Sequence, residues 1–381
     1  MAEFLRFADP GAHGFSRVVV WGGQATLAHI ENRPWLDKRH LAILDRSLPY
    51  RVFWQRFRLS DLARQTECDV LLVPGGSYAG NFMPVVVMCR NMLPFEWREL
   101  KRYGLSAMAL KLLALRWSQS RSFHHASGII FLTRYAKDVV TAVVGRVCGV
   151  SAIIPHGVNT RFSASPRQQQ SIDEYSEEKP FRILYVSQID WYKHQWHVVE
   201  AVAQLRKEGL PVALELVGPA CKPAIHKLAA TIRRCDPYGR FVSCRGSLPH
   251  TELNARYTLA DLCLFGSSCE NMPNTLLEGM ASGLPLACSN KGPMPEVLGP
   301  GGVYFDPEKP DEIAGALRQL IASPALRERM ALTSSGLVKD YSWRRCSDET
   351  LGFLATVAKN AESLNEGRKV AVVDWTEIGR R

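Results

Sequence analysis

Nowhere in the 381 residues is there a run of about 18 apolar residues, so no segment reads as a membrane-spanning helix. Residues 1–10, MAEFLRFADP, are interrupted by charge and lack an apolar h-region, so no secretory signal is expected there. The ten cysteines fall singly, with no C-x-x-C pair and no metal-ligand spacing. That excludes a disulfide scaffold and a zinc ribbon, and fits reduced thiols in a cytosolic protein. Helix-turn-helix, zinc-finger and RNP-type patterns are also absent, so nucleic acid is not an expected partner. Acidic charge is scarce. The chain carries a net +10, and residues 101–150 hold eight Lys or Arg against one Asp. Such an excess favours a phosphate-bearing substrate or an anionic lipid surface, with a plain solvated cationic face as the alternative.

What is present is an alternation of apolar runs with helical stretches. RVVVWGG (17–23), DVLLVPGG (69–76), PVVVMCRN (84–91), GIIFLT (128–133) and SAIIPHG (151–157) suit strands buried on both faces of a parallel sheet. Residues 161–180 have few bulky apolar side chains and read as a linker. The pattern then restarts with RILYVS (182–187), VALELVGP (212–219), RFVSCRG (240–246), DLCLFG (261–266), PLACSN (285–290) and GVYFDP (302–307). Two α/β domains follow, over 1–160 and 181–343, with 344–381 a C-terminal helix returning towards the N-terminal domain and then a loosely ordered polar tail.

The stretch SSCENMPNTLLEGMASGLP (267–285) carries two charges, Glu270 and Glu278, among small, amide and apolar residues. Carboxylates in such company need a partner, because removing charge from water is costly. Asn271 reads as an N-cap and Pro273 as a first-turn residue, so a helix is expected from about Pro273 to Ser282, stopped by Gly283. The amides of Asn274, Thr275 and Leu276 then lie unpaired at the helix start, a site suited to phosphate. A carboxylate beside that start can accept from sugar hydroxyls, and one on the helix from both hydroxyls of a ribose. On spacing alone, a capped surface helix with two solvated acids is the alternative.

The E-x7-E pattern within SSCENMPNTLLEGMASGLPLACSNKGPMPEVLG, followed by GVYFDP, strongly resembles the donor domain of retaining glycosyltransferases of family 4. The resemblance covers about 182–343, and IIPHGVNTRF (153–162) is similar to the family's domain-joining segment. It implies the GT-B architecture: two Rossmann-like α/β domains facing a cleft, acceptor-binding at the N-terminus and donor-binding at the C-terminus. Carried onto this chain, it implies that Glu270 contacts the transferred sugar and Glu278 the ribose. YVSQIDWYKHQW (185–196) is similar to the family loop after the first donor-domain strand. That places Lys193 at the donor diphosphate and Gln188 where the family often carries an arginine. FVSCRGSLPHTEL (241–253) resembles the nucleobase border, with Arg245 a candidate contact.

In the N-terminal half, VVVMCRNMLPFE (85–96) resembles the segment in which a His-Asp pair often follows a strand. Here Arg90 and Asn91 stand in that place, on the acceptor side, and no general-base histidine is present. In the front-face mechanism favoured for such enzymes, the departing phosphate oxygen takes the acceptor proton and Arg90 would stabilise the leaving diphosphate. His156, in PHG, is expected to line the cleft. The family's opening strand and Gly-rich turn are not found before RVVVWGG, so the N-terminal sheet is expected to lack its first strand.

The resemblance thus implies transfer of a hexose from a nucleotide-diphosphate sugar, GDP-mannose mildly preferred. The acceptor would be a hydroxyl of a glycan or lipid-linked carrier in O-antigen-type polysaccharide assembly. No cofactor and no metal are expected, since helix amides and Lys193 meet the diphosphate and no D-x-D triplet occurs. A nucleotide-sugar epimerase or glycan phosphorylase of the same architecture, and a non-catalytic glycan- or nucleotide-binding protein, stay open. The stretch 97–121 reads as one helix placing Arg98, Lys101, Arg102 and Arg116 within about 100° of one another. With Trp97, Leu113 and Trp117 at a headgroup boundary, it is expected to dock a cytoplasmic protein on the anionic inner face of the plasma membrane. A core helix with a cationic outer face is the alternative.

Overall fold

The computed structural model describes residues 2–361 and 369–374. Its contacts divide the chain into two units, Met1–Gly157 with Ser342–Arg381, and Val158–Tyr341. The segment read as a linker from 161 to 180 belongs to the second unit. Buried Arg327 holds it there, donating from Nε to Gln169 Oε1 at 3.1 Å and from Nη2 to the Gln170 carbonyl.

The first unit begins with β1 (Phe15–Gly22), β2 (Leu36–His40), β3 (Val70–Val73), β4 (Val85–Met88), β5 (Gly128–Phe131) and β6 (Val150–Ile153). β3, β4 and β5 are buried throughout, as strands inside a parallel sheet must be. β2, LDKRH, was not legible as a strand because an edge position tolerates charge in place of an apolar run.

The second unit contains β7 (Phe181–Val186), β8 (Val212–Val217), β9 (Val242–Cys244), β10 (Leu262–Phe265), β11 (Leu286–Ser289) and β12 (Val303–Phe305). They form one parallel sheet in the order β12-β11-β10-β7-β8-β9. The chain moves outward from β7 to β9, then returns to β10 and moves outward the other way. The direction of winding therefore reverses between β7 and β10, and a ligand site belongs at the C-terminal ends of those two strands.

The last strand, β13 (Lys369–Asp374), returns to the first unit. That sheet runs β2-β1-β13-β3-β4-β5-β6, every pair parallel. Val18 to Trp21 of β1 pair with Ala371 to Asp374, and Ala371 to Val373 pair onward with Val70 to Leu72. The expectation that this sheet lacks its first strand is corrected. The winding reverses at β13, so the place of an opening strand is filled from the far end of the chain. The expectation of a loose tail is corrected with it for residues 369–374; residues 362–368 and 375–381 lie outside the described residues. VAVV hidden among basic and polar neighbours carried little local signal.

Helix Trp343–Ala361 packs in the same unit, with Ser347 Oγ donating to the Phe4 carbonyl at 2.7 Å. Its first residue, Trp343, stacks on His156 at 5.3 Å. His156 is 6% exposed, its ring covered by that stacking.

The single helix expected over 97–121 is also corrected. Helix Trp97–Lys101 is separated from helix Ala107–His125, with Gly104 at φ 55° and Ser106 capping the second by accepting from Ala109 N at 3.2 Å. A glycine in the left-handed region and a serine N-cap end and restart a helix more stably than they continue one. Arg102 turns back to Glu99, and Arg116 donates to the Pro94 carbonyl.

Placing proline at Ala371 removes a ladder donor inside β13, where sheets do not tolerate it. Ala371→Pro should destabilise the first unit by on the order of 2–4 kcal/mol and speed amide exchange in β1 and β3. Unchanged protection in those two strands would show that β13 does not hold them.

Candidate active site

Two loops meet at the C-terminal ends of β7 and β10. After β7 the chain makes a short 3-10 turn, Trp191–Lys193, started by Asp190 accepting from Trp191 N at 2.7 Å. His194 then takes φ 53°, and helix Gln195–Lys207 begins. After β10 the loop runs through Ser267 and Ser268 to Glu270. Ser268 N donates to the Tyr192 carbonyl at 2.8 Å, and the buried His194 ring bonds Ser268 Oγ at 2.8 Å. These bonds stitch the loops together.

They bring Lys193 and Glu270 into contact, and Lys193 Nζ donates to Glu270 Oε1. Lys193 is only 7% exposed, its ammonium 5.0 Å from the centre of the Tyr192 ring and 5.6 Å from that of Phe265. Tyr185, at the end of β7, donates its hydroxyl to the Lys193 carbonyl at 2.7 Å and fixes the backbone. The carboxylate that lacked a partner in the sequence thus has one 77 residues away. Each ion makes the other's burial tolerable, and loss of one leaves an uncompensated charge.

Beyond Glu270 the helix is Asn274–Ala281, with Pro273 in the cap position and no side-chain cap. The helix starts within a residue of the expected place, but Asn271 is buried and does not cap it, so the expected cap is corrected. The expectation of three free amides is corrected as well. Asn274 N donates to the Met272 carbonyl and Leu276 N to the Pro273 carbonyl, both at 3.0 Å, because the first turn is wound tightly. Of the three, the Thr275 amide alone makes no such turn bond. Gly283 takes φ 65°, as expected of a helix stop, but it is closely approached by residues 164–166 and not by the next strand. A Cβ there would lie 2.7 Å from Pro166 N.

Glu278 sits on this helix against Tyr257, whose hydroxyl lies 3.1 Å from Glu278 Oε2 and 3.2 Å from the Thr275 carbonyl. Burial pushes the Glu278 carboxyl up to about 7, against the opposing pull of Tyr257 and of the Arg161 charge. Tyr257 and Arg161 escaped the sequence reading because nothing local links positions 161, 257 and 278. Gln188 Nε2 bonds Tyr192 OH at 2.6 Å, and its carbonyl accepts from Gln195 Nε2 at 2.8 Å. It shapes the first loop beside Lys193. Arg245 is exposed and pairs with Glu215 at 3.1 Å.

In the first unit, Arg90 and Asn91 follow β4 and are half-buried. Asn91 Oδ1 accepts from Leu93 N at 3.1 Å, turning the chain away from the strand. Beside the end of β4, a Cβ on Gly76 would lie 3.3 Å from both the Met88 carbonyl and Gln119 Nε2. Buried Ser77 Oγ and Gln119 Oε1 have no hydrogen-bond partner among the described residues. The sequence reading missed both. Unpaired polar atoms at a strand's C-terminal end are candidate contacts for a hydroxylated ligand. Elsewhere in the second unit, a cavity of about 570 Å³ lined by Arg167, Tyr175, Lys179 and Arg182 opens at the N-terminal ends of β7 and β10. It holds neither Lys193, Glu270 nor Glu278.

Residues 166–334 match the family model described as glycosyl transferases group 1. O-antigen chain mannosyltransferase B of Escherichia coli is 30% identical over 106 residues, 28% of this chain and 28% of that protein. MMP alpha-(1->4)-mannosyltransferase of Mycolicibacterium hassiacum is 27% identical over 263 residues, 64% of this chain and 60% of that protein. The chain thus spans from 28% to 60% of the length of these two relatives. The structure of sucrose-phosphate synthase from Thermosynechococcus elongatus matches with a TM-score of 0.72 at 16% identity, over 94% of this chain and 92% of that one. The fold is GT-B, built from two Rossmann-like units.

A ligand whose hydroxyls donate to both oxygens of Glu278 favours its ionised form, so binding of such a ligand should release a proton. Affinity should rise, by up to about tenfold, as pH increases from about 6 to 8, and Glu278→Gln should flatten the profile in calorimetric titrations. Stability should run the other way. With the folded pKa above the ordinary value of 4.5, the unfolded chain ionises first and stability falls between pH 4.5 and about 7. Glu278→Gln should therefore raise the unfolding free energy at pH about 8, by on the order of 3 kcal/mol at most.

Proposed function

We propose that this chain, whose residues 166–334 match the group 1 glycosyl transferase family model, is a retaining glycosyltransferase acting on a nucleotide-diphosphate sugar. The observation that carries the reading is the Lys193–Glu270 pair, its lysine buried and its glutamate part-buried, held where the winding of the second sheet reverses, on the loop that leads into the helix carrying Thr275 and Glu278. An ammonium and a helix-start amide meet a diphosphate, a carboxylate accepts from sugar hydroxyls, and a second carboxylate accepts from a ribose.

In the reaction we infer, an acceptor hydroxyl attacks the anomeric carbon on the face the diphosphate leaves. The bond from that carbon to the phosphate oxygen breaks, and this oxygen takes the hydroxyl proton. Lys193 and the Thr275 amide stabilise the charge that grows on the diphosphate, in place of a metal ion. Glu270 orients the sugar. The donor we favour is GDP-mannose, in keeping with the two mannosyltransferase relatives. The acceptor we favour is a glycan or lipid-linked carrier of O-antigen type, met at the inner face of the plasma membrane through residues 97–121.

Lys193→Met or Glu270→Gln should each lower transfer at least about 100-fold. Because the pair is buried, each single variant should also lose up to about 3–5 kcal/mol of stability. The double variant should recover most of that stability while staying inactive. Thermal unfolding and turnover measured on all three separate the two roles. An active double variant would refute the assignment.

A further inference from the structure

Eleven of the sixteen exposed large apolar side chains among the described residues lie in two short segments of the first unit, 48–57 and 97–117. The second was anticipated; the first was not. Helix Leu48–Phe57, LPYRVFWQRF, buries Trp54 and Gln55 and turns outward Tyr50, Phe53 and Phe57, each more than half exposed. Patches of this kind on a soluble domain mark something that covers them.

Both segments are fixed to one loop. Gln55, on helix Leu48–Phe57, donates to the Ser77 carbonyl at 3.1 Å. From helix Ala107–His125, Gln119 donates to the Gly75 carbonyl and Ser122 Oγ accepts from Tyr78 N at 2.7 Å. The two helices therefore flank residues 75–78, at the end of β3. Together they carry five Lys or Arg and no Asp or Glu.

Cations accompany the aromatic rings. Arg56 lies 5.4 Å from the Phe57 ring centre and Arg46 5.8 Å from that of Tyr50, while Lys101 and Arg116 lie 5.8 and 5.9 Å from that of Trp97. Among the described residues no helix is long and apolar enough to cross a membrane. Aromatic rings beside cationic side chains, with helices Leu48–Phe57 and Ala107–His125 free of acids and Glu99 of the short helix paired with Arg102, match the boundary between lipid headgroups and acyl chains. An unrelated protein partner would call for a mixed polar rim, and a second copy would bring the same cations face to face.

We propose that helix Leu48–Phe57 is a membrane-contact element. Its aromatic face enters an anionic bilayer alongside Trp97, Leu110 and Trp117, so that the surface is double and not a single helix. This extends, and rests on, the reading of residues 97–121 as membrane-facing. The contact would bring the loop 75–78, with its unpaired Ser77 hydroxyl, beside the lipid surface.

The test is flotation of the full chain with phosphatidylcholine vesicles containing about 30% phosphatidylglycerol, and with phosphatidylcholine alone. Wild type should float with the anionic vesicles and lose binding in high salt. Phe53→Asp/Phe57→Asp should lower the bound fraction at least about tenfold with Tm unchanged. Phe53→Ser/Phe57→Ser serves if the charged variant unfolds. Binding by the Phe53/Phe57 variant equal to wild type, with loss only in Trp117→Glu, would overturn this inference and leave the earlier one standing. No flotation of wild type would overturn both. A wild-type dimer in light scattering that the Phe53/Phe57 variant dissolves would assign the face to a second copy and overturn the inference too. Flotation needs neither donor nor acceptor, so its outcome is independent of whether the proposed transfer is correct.

Discussion

A lysine and a glutamate taken out of water together set the terms for the second unit. Removing an ammonium and a carboxylate from solvent costs several kcal/mol each, returned only when the two ions meet in good geometry. Lys193 and Glu270 lie on different loops, so their pairing requires those loops to stand in one register. Tyr185 fixes the Lys193 backbone, His194 grips Ser268, and Ser268 grips the Tyr192 carbonyl. The aromatic rings of Tyr192 and Phe265 then surround the ammonium. A site held this firmly presents its charges to a ligand without first having to order them.

The same topological logic governs both units, from different parts of the chain. In the second, the reversal of winding sets β10 beside β7 and puts the two loops side by side. In the first, the corresponding central place is held by β13, whose partners β1 and β3 are more than 290 residues away in sequence. Closing so long a loop adds entropy slowly, only as the logarithm of its length. Two ladder edges satisfied at once outweigh it. The valine-rich run from 370 to 373 has the composition of a strand flanked on both sides.

What the sequence disclosed followed the reach of each interaction. The strands around β3, β4, β7 and β8 were legible because burial on both faces demands unbroken apolar runs. Glu270 and Glu278 could be singled out because an acid in apolar company is locally anomalous, and Lys193 because its loop resembles the family's loop after the first donor-domain strand. Their partners were not legible: Glu270 finds Lys193 77 residues away, and Glu278 finds Tyr257 21 residues away. Short-range errors had short-range causes. Asn271 has the chemistry of a cap, yet the helix starts three residues later, and the tight turn there consumes two of the three amides thought free. Gly104 and Ser106 carried the signal of a helix break that periodicity in the surrounding arginines obscured. β2 and β13 were lost because charge or position disguised them.

The central claim is that the loops after β7 and β10 bind a nucleotide sugar. It is tested most directly by amide hydrogen exchange of the full chain with and without UDP-, GDP-, ADP- and dTDP-linked sugars. With one of these donors, exchange should slow at residues 187–194 and 267–276, and at Thr275 above all. Slowing confined to residues 167–182, around the cavity at the opposite ends of the strands, or no slowing with any of the four, would contradict the account.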